Sequence, residues 1–211
     1  MFKGSIVALI TPFKNNKLDE ECYISLIHHH IKNDTSGLVP AGTTGESPTL
    51  NHEEHERVIE LCVKESKGKI PVIAGTGSNS TEEAISLTKY AEKIGADAAL
   101  IVTPYYNKPT QDGIYEHYKA ISAVSTKPII VYNVPGRTSS NILPETIARL
   151  AKDFSNIVGI KEAKGDIVQA MKMIAETPDN FMVISGDDMI NLPMVLAGGS
   201  GVISVIAQGF P

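Results

Sequence analysis

Short apolar runs alternate with longer charged segments along the whole chain. In the charged segments, such as 51–68 and 80–96, apolar residues recur at helical spacing, which predicts amphipathic helices. The apolar runs between them are bounded by turn residues and are typical of buried strands in a parallel sheet. The predicted strands are residues 5–12, 36–42, 71–77, 98–104, 128–134, 157–163, 181–188 and 201–207.

The alternation of strands and helices predicts an α/β fold with a parallel sheet. A doubly wound sheet and a (β/α)8 TIM barrel share this local pattern. Two features favour the barrel, namely the count of eight predicted strands and the lack of a nucleotide-binding fingerprint after the first of them. The nearest match, GTGSNS at 75–80, follows the third strand and lacks the last glycine.

The expected barrel occupies residues 1–211 as a single domain. Barrels of this type have a typical size of about 250 residues and continue from the eighth strand into an eighth helix. Here the last predicted strand ends at residue 207. We therefore expect a barrel that is truncated after strand 8, without the eighth helix and the C-terminal helices.

Composition narrows the choice of partners and compartment. A net charge of −5 and a pI near 5.7 argue against a nucleic-acid partner or a polybasic membrane surface. The two cysteines, Cys22 and Cys62, form no CxxC motif, which fits a reducing cytosol. The apolar start of the chain is too short to span a bilayer and lacks a signal-peptide cleavage site, so we expect a cytoplasmic protein.

The segment IVGIKEA at 157–163 places one lysine, Lys161, inside an apolar strand. An isolated ammonium group is costly in a low-dielectric site, so such a site favours the neutral amine. A neutral lysine amine is a nucleophile that forms a Schiff base with a carbonyl group. The alternative is a lysine at a strand end that extends to water. Strict alternation predicts two faces: Gly159, Lys161 and Ala163 on one, and Val158, Ile160 and Glu162 on the other.

Polar motifs end most of the other predicted strands. In a (β/α)8 barrel the carboxyl ends of the strands build the active site, so these motifs are expected to converge. Tyr132 can transfer protons, Thr43 and Thr44 can bind a carboxylate, and Arg137 offers a bidentate fork to a second carboxylate. The motifs are GTTGES at 42–47, TPYYNKP at 103–109, YNVPGRT at 132–138, SGDD at 185–188 and GVIS at 201–204.

Together, GTTGES, TPYYNKP, YNVPGRT, GIKEA and GVIS resemble the dihydrodipicolinate synthase / N-acetylneuraminate lyase family of class I aldolases, in the right order and over essentially the whole chain. The resemblance implies a (β/α)8 barrel whose strand-6 lysine forms a Schiff base with pyruvate. The implied site residues are Lys161 as the Schiff-base lysine, Tyr132 as proton donor and acceptor, Thr43 and Tyr106 as the rest of a hydroxyl relay, and Thr44 with the backbone of Ile203 as the pyruvate carboxylate site.

Arg137 decides the subgroup within this resemblance. The sialic acid lyases of the family lack this arginine, whereas in the synthases it binds the carboxylate of aspartate semialdehyde. The implied reaction condenses pyruvate with that semialdehyde, in lysine and diaminopimelate biosynthesis. The protonated imine serves as the electron sink, so no metal or organic cofactor is expected. Two alternatives stay open: another pyruvate-dependent aldolase, acting on a 2-keto-3-deoxy sugar acid or hydroxy-oxoglutarate, and a non-catalytic barrel fragment.

The resemblance also implies subunit contacts and a regulatory site. Family members usually receive the tyrosine equivalent to Tyr106 from a neighbouring subunit, which implies at least a dimer, and we expect a homotetramer built as a dimer of dimers. Feedback-inhibited members bind lysine at a subunit interface. The alternative is that 51–55 is only a charged helix start. The matching positions for lysine are Pro48, His52, His55, Asn79, Glu83 and Tyr105.

Overall fold

The computed structural model describes residues 2–211. Within these residues, eight parallel strands form one sheet, and a short hairpin follows the first strand. Each predicted apolar run coincides with one of the eight, and the first strand begins one residue before its predicted run. The strands are β1 (Gly4–Ala8), β2 (Gly37–Val39), β3 (Ile73–Gly75), β4 (Ala98–Val102), β5 (Ile129–Asn133), β6 (Ile157–Glu162), β7 (Met182–Ser185) and β8 (Gly201–Ser204).

The sheet closes into a barrel. Its order is β2-β1-β8-β7-β6-β5-β4-β3, so the first and last strands of the chain lie side by side. The remaining gap, between β2 and β3, is closed by a parallel bridge from Leu38 to Val72. Backbone hydrogen bonds of 3.0 Å flank that bridge, from the Leu38 N–H to the Pro71 carbonyl and from the Gly75 N–H to the Pro40 carbonyl. The predicted barrel is confirmed, and the doubly wound alternative is wrong.

Helices fill the connections between consecutive strands and cover the outside of the barrel. After β5 the chain also makes a single helical turn, Pro135–Thr138, before its main helix. A 3-10 turn, Ile206–Gln208, follows β8. The helices are α1 (Glu20–Lys32), α2 (His52–Ser66), α3 (Thr81–Ile94), α4 (Gln111–Ser122), α5 (Pro144–Asp153), α6 (Ile167–Glu176) and α7 (Asn191–Leu196).

Alternation along the strands divides the core into two apolar layers. One layer fills the barrel interior and the other lies between the strands and the helices. Each fully buried aliphatic side chain contributes roughly 1.5–3 kcal/mol to folding. The interior layer includes Ile6, Val39, Ile73, Leu100, Ile130, Tyr132, Ile184 and Ile203, and the outer layer includes Val7, Leu38, Ile101, Val131, Ile160 and Val183.

The strand β6 departs from the strict alternation that the sequence predicts. Ile129 pairs with Ile157, but the next residue of β5 pairs with Gly159, so Val158 is an extra residue in β6. Val158 packs against the barrel interior, whereas Ile160 belongs to the outer layer. The prediction that these two share a face is wrong, because a bulge resets the alternation between them.

The strands are shorter than predicted at their carboxyl ends. The predicted strand 36–42 ends at Val39, directly before Pro40, and the predicted strand 98–104 ends at Val102, before Pro104. Proline has no N–H to donate to a ladder, and the apolar residues around it continue into the loops at the mouth.

No helix among residues 2–211 combines the length and the apolar character that a membrane crossing requires.

Candidate active site

Lys161 and Tyr132 face each other inside the barrel. They are register partners on the adjacent strands β6 and β5. Both are buried, each with 6% of its surface exposed. The Lys161 Nζ lies 4.4 Å from the centroid of the Tyr132 ring, at cation–π distance. The strand geometry therefore brings the two residues together, as the sequence predicts.

The environment of Lys161 favours its neutral amine. Burial lowers the pKa of Lys161 to about 8, and the negative charge of Asp188 acts against this shift. A lower pKa increases the fraction of unprotonated amine near neutral pH, and only that form attacks a carbonyl carbon. The barrel thus converts an ordinary lysine into a usable nucleophile.

Gly186, directly after β7, makes room for the Lys161 side chain. A Cβ atom at position 186 would lie 2.6 Å from the Lys161 Cε and 2.8 Å from its Cγ, closer than carbon atoms approach without a clash. In the sequence this glycine is only one member of the SGDD motif at a strand end. Its position at the C-terminal end of β7, the strand next to β6, is the feature that indicates contact with the Lys161 side chain.

Asp188 joins the ends of β7 and β8 beneath the mouth. Its Oδ2 accepts hydrogen bonds of 3.0 Å from the backbone N–H groups of Val205 and Ile206, and its Oδ1 accepts one of 2.9 Å from Asn191 Nδ2. Burial raises the pKa of Asp188, but these bonds and the Ser204 hydroxyl outweigh it, so the pKa is lowered. The SGDD motif contains Asp188, but the sequence does not indicate that its charge acts on Lys161.

The loop after β2 carries Thr43 and Thr44. Its backbone is fixed by the Thr11 hydroxyl, which donates to the Gly45 carbonyl at 2.7 Å. Burial raises the pKa of Tyr132, while the Thr43 hydroxyl and the charge of Arg137 act in the opposite direction. Thr43 and Arg137 are therefore close enough to Tyr132 to influence the proton on its hydroxyl.

A cavity of about 710 Å³ opens at the mouth and is lined by Thr43, Tyr106 and Arg137 among others. Arg137 lies exposed on the single helical turn after β5. Tyr106 is 89% exposed and has a left-handed backbone conformation, with φ of 70°. The two thus lie at the rim, outside the buried pair. The cavity wall, as formed by residues 2–211, does not include Lys161, Tyr132, Thr44 or Ile203.

The same cavity extends to most of the predicted lysine site. Five of its six positions line the wall, and Asn79 does not. His52 Nε2 lies 3.3 Å from Glu83 Oε1, and Glu83 also accepts a hydrogen bond from the Ser78 hydroxyl. His55 donates its Nε2–H to the Gly75 carbonyl at 2.8 Å, and burial lowers its pKa. His55 is therefore held neutral, with that nitrogen occupied. The five positions are Pro48, His52, His55, Glu83 and Tyr105.

Among residues 2–211, no cluster of three or more histidine, cysteine, aspartate or glutamate side chains is arranged to hold a metal ion.

The fold and the site define a (β/α)8-barrel protein with a buried lysine amine inside its mouth. Comparison with known proteins gives the family. The model of the dihydrodipicolinate synthetase family matches residues 1–211, and the chain belongs to this family.

Three relatives illustrate the similarity. The 4-hydroxy-tetrahydrodipicolinate synthase of Thermodesulfovibrio yellowstonii is 60% identical over 211 residues, which are all of this chain and 72% of the relative. The crystal structure of dihydrodipicolinate synthase from Aquifex aeolicus matches with a TM-score of 0.98 at 50% identity, over 100% of this chain and 72% of that one. The lysine-bound enzyme of Cyanidioschyzon merolae matches with a TM-score of 0.95 at 42% identity, over 98% and 71%.

Proposed function

We propose that this chain acts as a 4-hydroxy-tetrahydrodipicolinate synthase, which condenses pyruvate with L-aspartate 4-semialdehyde through a Schiff base at Lys161. The observation that carries the proposal is the buried Lys161 amine, with a pKa of about 8, facing Tyr132 inside the barrel of a family member.

The neutral Lys161 amine attacks C2 of pyruvate and, with loss of water, gives a protonated imine. The imine draws electrons from the methyl carbon, which loses a proton and becomes the nucleophilic end of an enamine. That carbon attacks the aldehyde carbon of the semialdehyde. The amino group of the semialdehyde part then attacks C2, closes the ring and releases Lys161. None of these reaction steps requires a metal or an organic cofactor.

Proton transfer in this sequence is assigned to hydroxyl groups. Tyr132 is positioned beside Lys161 to protonate the hydroxyl that leaves as water and to take a proton back afterwards. Thr43, whose hydroxyl acts on the pKa of Tyr132, is the next member of the relay. Tyr106 of the partner subunit completes it.

Two carboxylate sites flank the reacting carbons. Thr44 and the backbone of Ile203 hold the carboxylate of pyruvate, and Arg137 holds that of the semialdehyde. The position of Arg137 on the cavity wall supports the second assignment. Its guanidinium can bind a planar carboxylate with two hydrogen bonds. Its position at the rim allows this contact with the semialdehyde before the ring closes.

We also propose that Tyr106 serves a neighbouring subunit in a homotetramer built as a dimer of dimers. Its 89% exposure supports this assignment, because a tyrosine in a proton relay needs a surrounding surface that this chain does not give it. A reducing cytoplasm is the proposed compartment, supported by the two unpaired thiols of Cys22 and Cys62.

Feedback inhibition by lysine is the proposed regulation. The Glu83 carboxylate would bind the ammonium group, and His52 with Asn79 would face the carboxylate. The lysine-bound relative from Cyanidioschyzon merolae supports this assignment. Activity measured against rising lysine concentration tests it, and a flat curve contradicts it.

Borohydride reduction with pyruvate tests the main proposal. The protein is incubated with pyruvate, reduced, digested and mapped by mass spectrometry. We expect a reduced pyruvyl adduct on Lys161, and the same adduct in a Lys172→Ala control, because Lys172 is an exposed lysine on α6. A folded sample without an adduct, or with an adduct elsewhere, contradicts the Schiff-base assignment. Assays with aspartate semialdehyde, hydroxy-oxoglutarate and 2-keto-3-deoxy sugar acids then identify the preferred substrate.

A further inference from the structure

Glu162 follows Lys161 on β6, and its side chain is buried on the outer side of the barrel wall, with 0% exposed. Three donors converge on its carboxyl group. Asn133 Nδ2 and Gln169 Nε2 donate to Oε2 at 2.9 and 3.1 Å, and the backbone N–H of Lys164 donates to Oε1 at 2.7 Å. Both oxygens therefore act as acceptors, which suits a carboxylate.

The charge of this carboxylate is compensated in part by its neighbours, and the net effect is a raised pKa. Burial raises the pKa of Glu162, and hydrogen bonds from Asn133, the Lys164 backbone and Gln169 act against the rise, as does the charge of Lys164. A buried carboxylate is tolerated in a protein when its acceptors are all used.

A ring of amides extends the network to the next loop. Asn141 Oδ1 accepts from Asn133 Nδ2 at 2.9 Å and from Gln169 Nε2 at 3.1 Å, while Asn141 Nδ2 donates to Gln169 Oε1 at 3.0 Å. The Ile142 N–H donates to Asn133 Oδ1 at 3.2 Å. Each of the three amides thus uses both its donor and its acceptor side, which fixes the orientation of all three.

The network joins the elements that carry the proposed catalytic groups. Register places Asn133 opposite Glu162, one residue beyond the pair formed by Tyr132 and Lys161. The bonds from Asn133 to Asn141 and Ile142 close the base of the loop 134–141, which carries Arg137. One carboxylate therefore connects β5, β6 and the loop at the rim.

We propose that Glu162 is a positioning residue for the condensation, which holds Lys161, Tyr132 and the loop of Arg137 in one fixed arrangement. This inference rests on the proposed function, because those three residues have their roles only there. Glu162 does not touch the substrate. It acts by preventing small shifts of the groups that do, and a displacement of about 1 Å can reduce a rate roughly a hundredfold.

The substitution Glu162→Gln tests this without changing the size of the side chain. It replaces one acceptor oxygen with an NH2 donor. In one amide orientation this NH2 faces the Lys164 N–H, and in the other it faces the NH2 groups of Asn133 and Gln169. Because those two amides are already fixed by Asn141, no reorientation relieves the conflict. Glu116→Gln is the matched control, since Glu116 is exposed on α4 and pairs with the exposed Lys119.

The measurements are steady-state kinetics with both substrates, the rate of borohydride-trapped adduct formation with pyruvate, and the melting temperature. For Glu162→Gln we expect kcat to fall roughly ten- to a hundredfold and KM for the semialdehyde to rise, with the pyruvate adduct still on Lys161. Glu116→Gln should match the wild type. Unchanged kcat and KM values in a folded Glu162→Gln protein overturn the positioning role.

Asn141→Ala decides the matter if Glu162→Gln does not fold. Asn141 is half-buried in the loop, and its loss leaves all three hydrogen bonds of Glu162 in place. We expect KM for the semialdehyde to rise roughly tenfold while the rate of pyruvate adduct formation stays at the wild-type value. Equal effects on both steps, or none, overturn the inference. The wild-type adduct separates the two proposals: its absence removes the proposed function itself.

Discussion

The buried pair on β5 and β6 and the residues at the rim of the mouth are held in place in different ways. Lys161 and Tyr132 are held by adjacent strands, in register and away from water, so their relative position follows directly from the barrel. Arg137 and Tyr106 lie on loops and are exposed, so their positions depend on local hydrogen bonds and on surrounding surfaces. Strands therefore fix the two groups to which we assign bond formation, and loops carry the group to which we assign recognition of the second substrate.

Removal of the nucleophile should have the largest effect. In Lys161→Ala we expect no pyruvate adduct and a loss of kcat on the order of a thousandfold, because the covalent route is gone. Steady-state assay and mass spectrometry check this outcome. If the adduct still forms at full yield, another lysine is the nucleophile and the assignment to Lys161 is wrong.

Gly186→Ala should be nearly as damaging, although it adds only a methyl group. The new Cβ overlaps the Lys161 side chain, which must leave its present position beside Tyr132. We expect adduct formation to slow roughly a hundredfold. Gly209→Ala is the matched control, since no atom lies within 4 Å of a Cβ built there. Equal rates in the two variants contradict the assigned role of Gly186.

Arg137→Ala separates the rim from the buried pair. Loss of a charge-assisted bidentate contact costs about 1.5–3 kcal/mol, which corresponds to a roughly ten- to hundredfold rise in KM for the semialdehyde. The rate of pyruvate adduct formation should stay at the wild-type value. Arg149→Ala, which removes an exposed arginine paired with Asp112 on the outer helices, serves as the control. If the pyruvate adduct forms more slowly in Arg137→Ala, the rim also contributes to the first chemical step, and the separation of the buried pair from the rim is wrong.

The smallest effect concerns the pH profile of adduct formation. Below the Lys161 pKa the amine is protonated and unreactive, so the rate should rise with pH through about 8 and then level off. The negative charge of Asp188 raises this pKa, so Asp188→Asn should move the midpoint lower, by up to about one pH unit. Stopped reactions across the pH range measure both. A wild-type midpoint near 10.5, the ordinary lysine value, contradicts the effect of burial.

The sequence predicts the buried pair better than its surroundings. Apolar runs locate β5 and β6, and the single lysine in such a run identifies Lys161 as a candidate nucleophile. The SGDD motif places Gly186 and Asp188 at the end of β7, but the space and the charge that they give Lys161 depend on packing between two strands, which a local pattern does not show. The amide ring around Glu162 is also built from distant residues, and its members resemble ordinary turn and helix residues in the sequence.

The bulge at Val158 sets which way the nucleophile points. Ile157 belongs to the outer layer, so strict alternation from it would also turn Lys161 outward, toward the helices. The extra residue reverses this, and the lysine enters the barrel. The register of β6 thus determines whether the Lys161 amine faces the barrel interior or the helices. Removal of Val158 would restore regular alternation from an outward Ile157 to an inward Lys161, so the bulge lets both side chains keep their faces with one more residue between them.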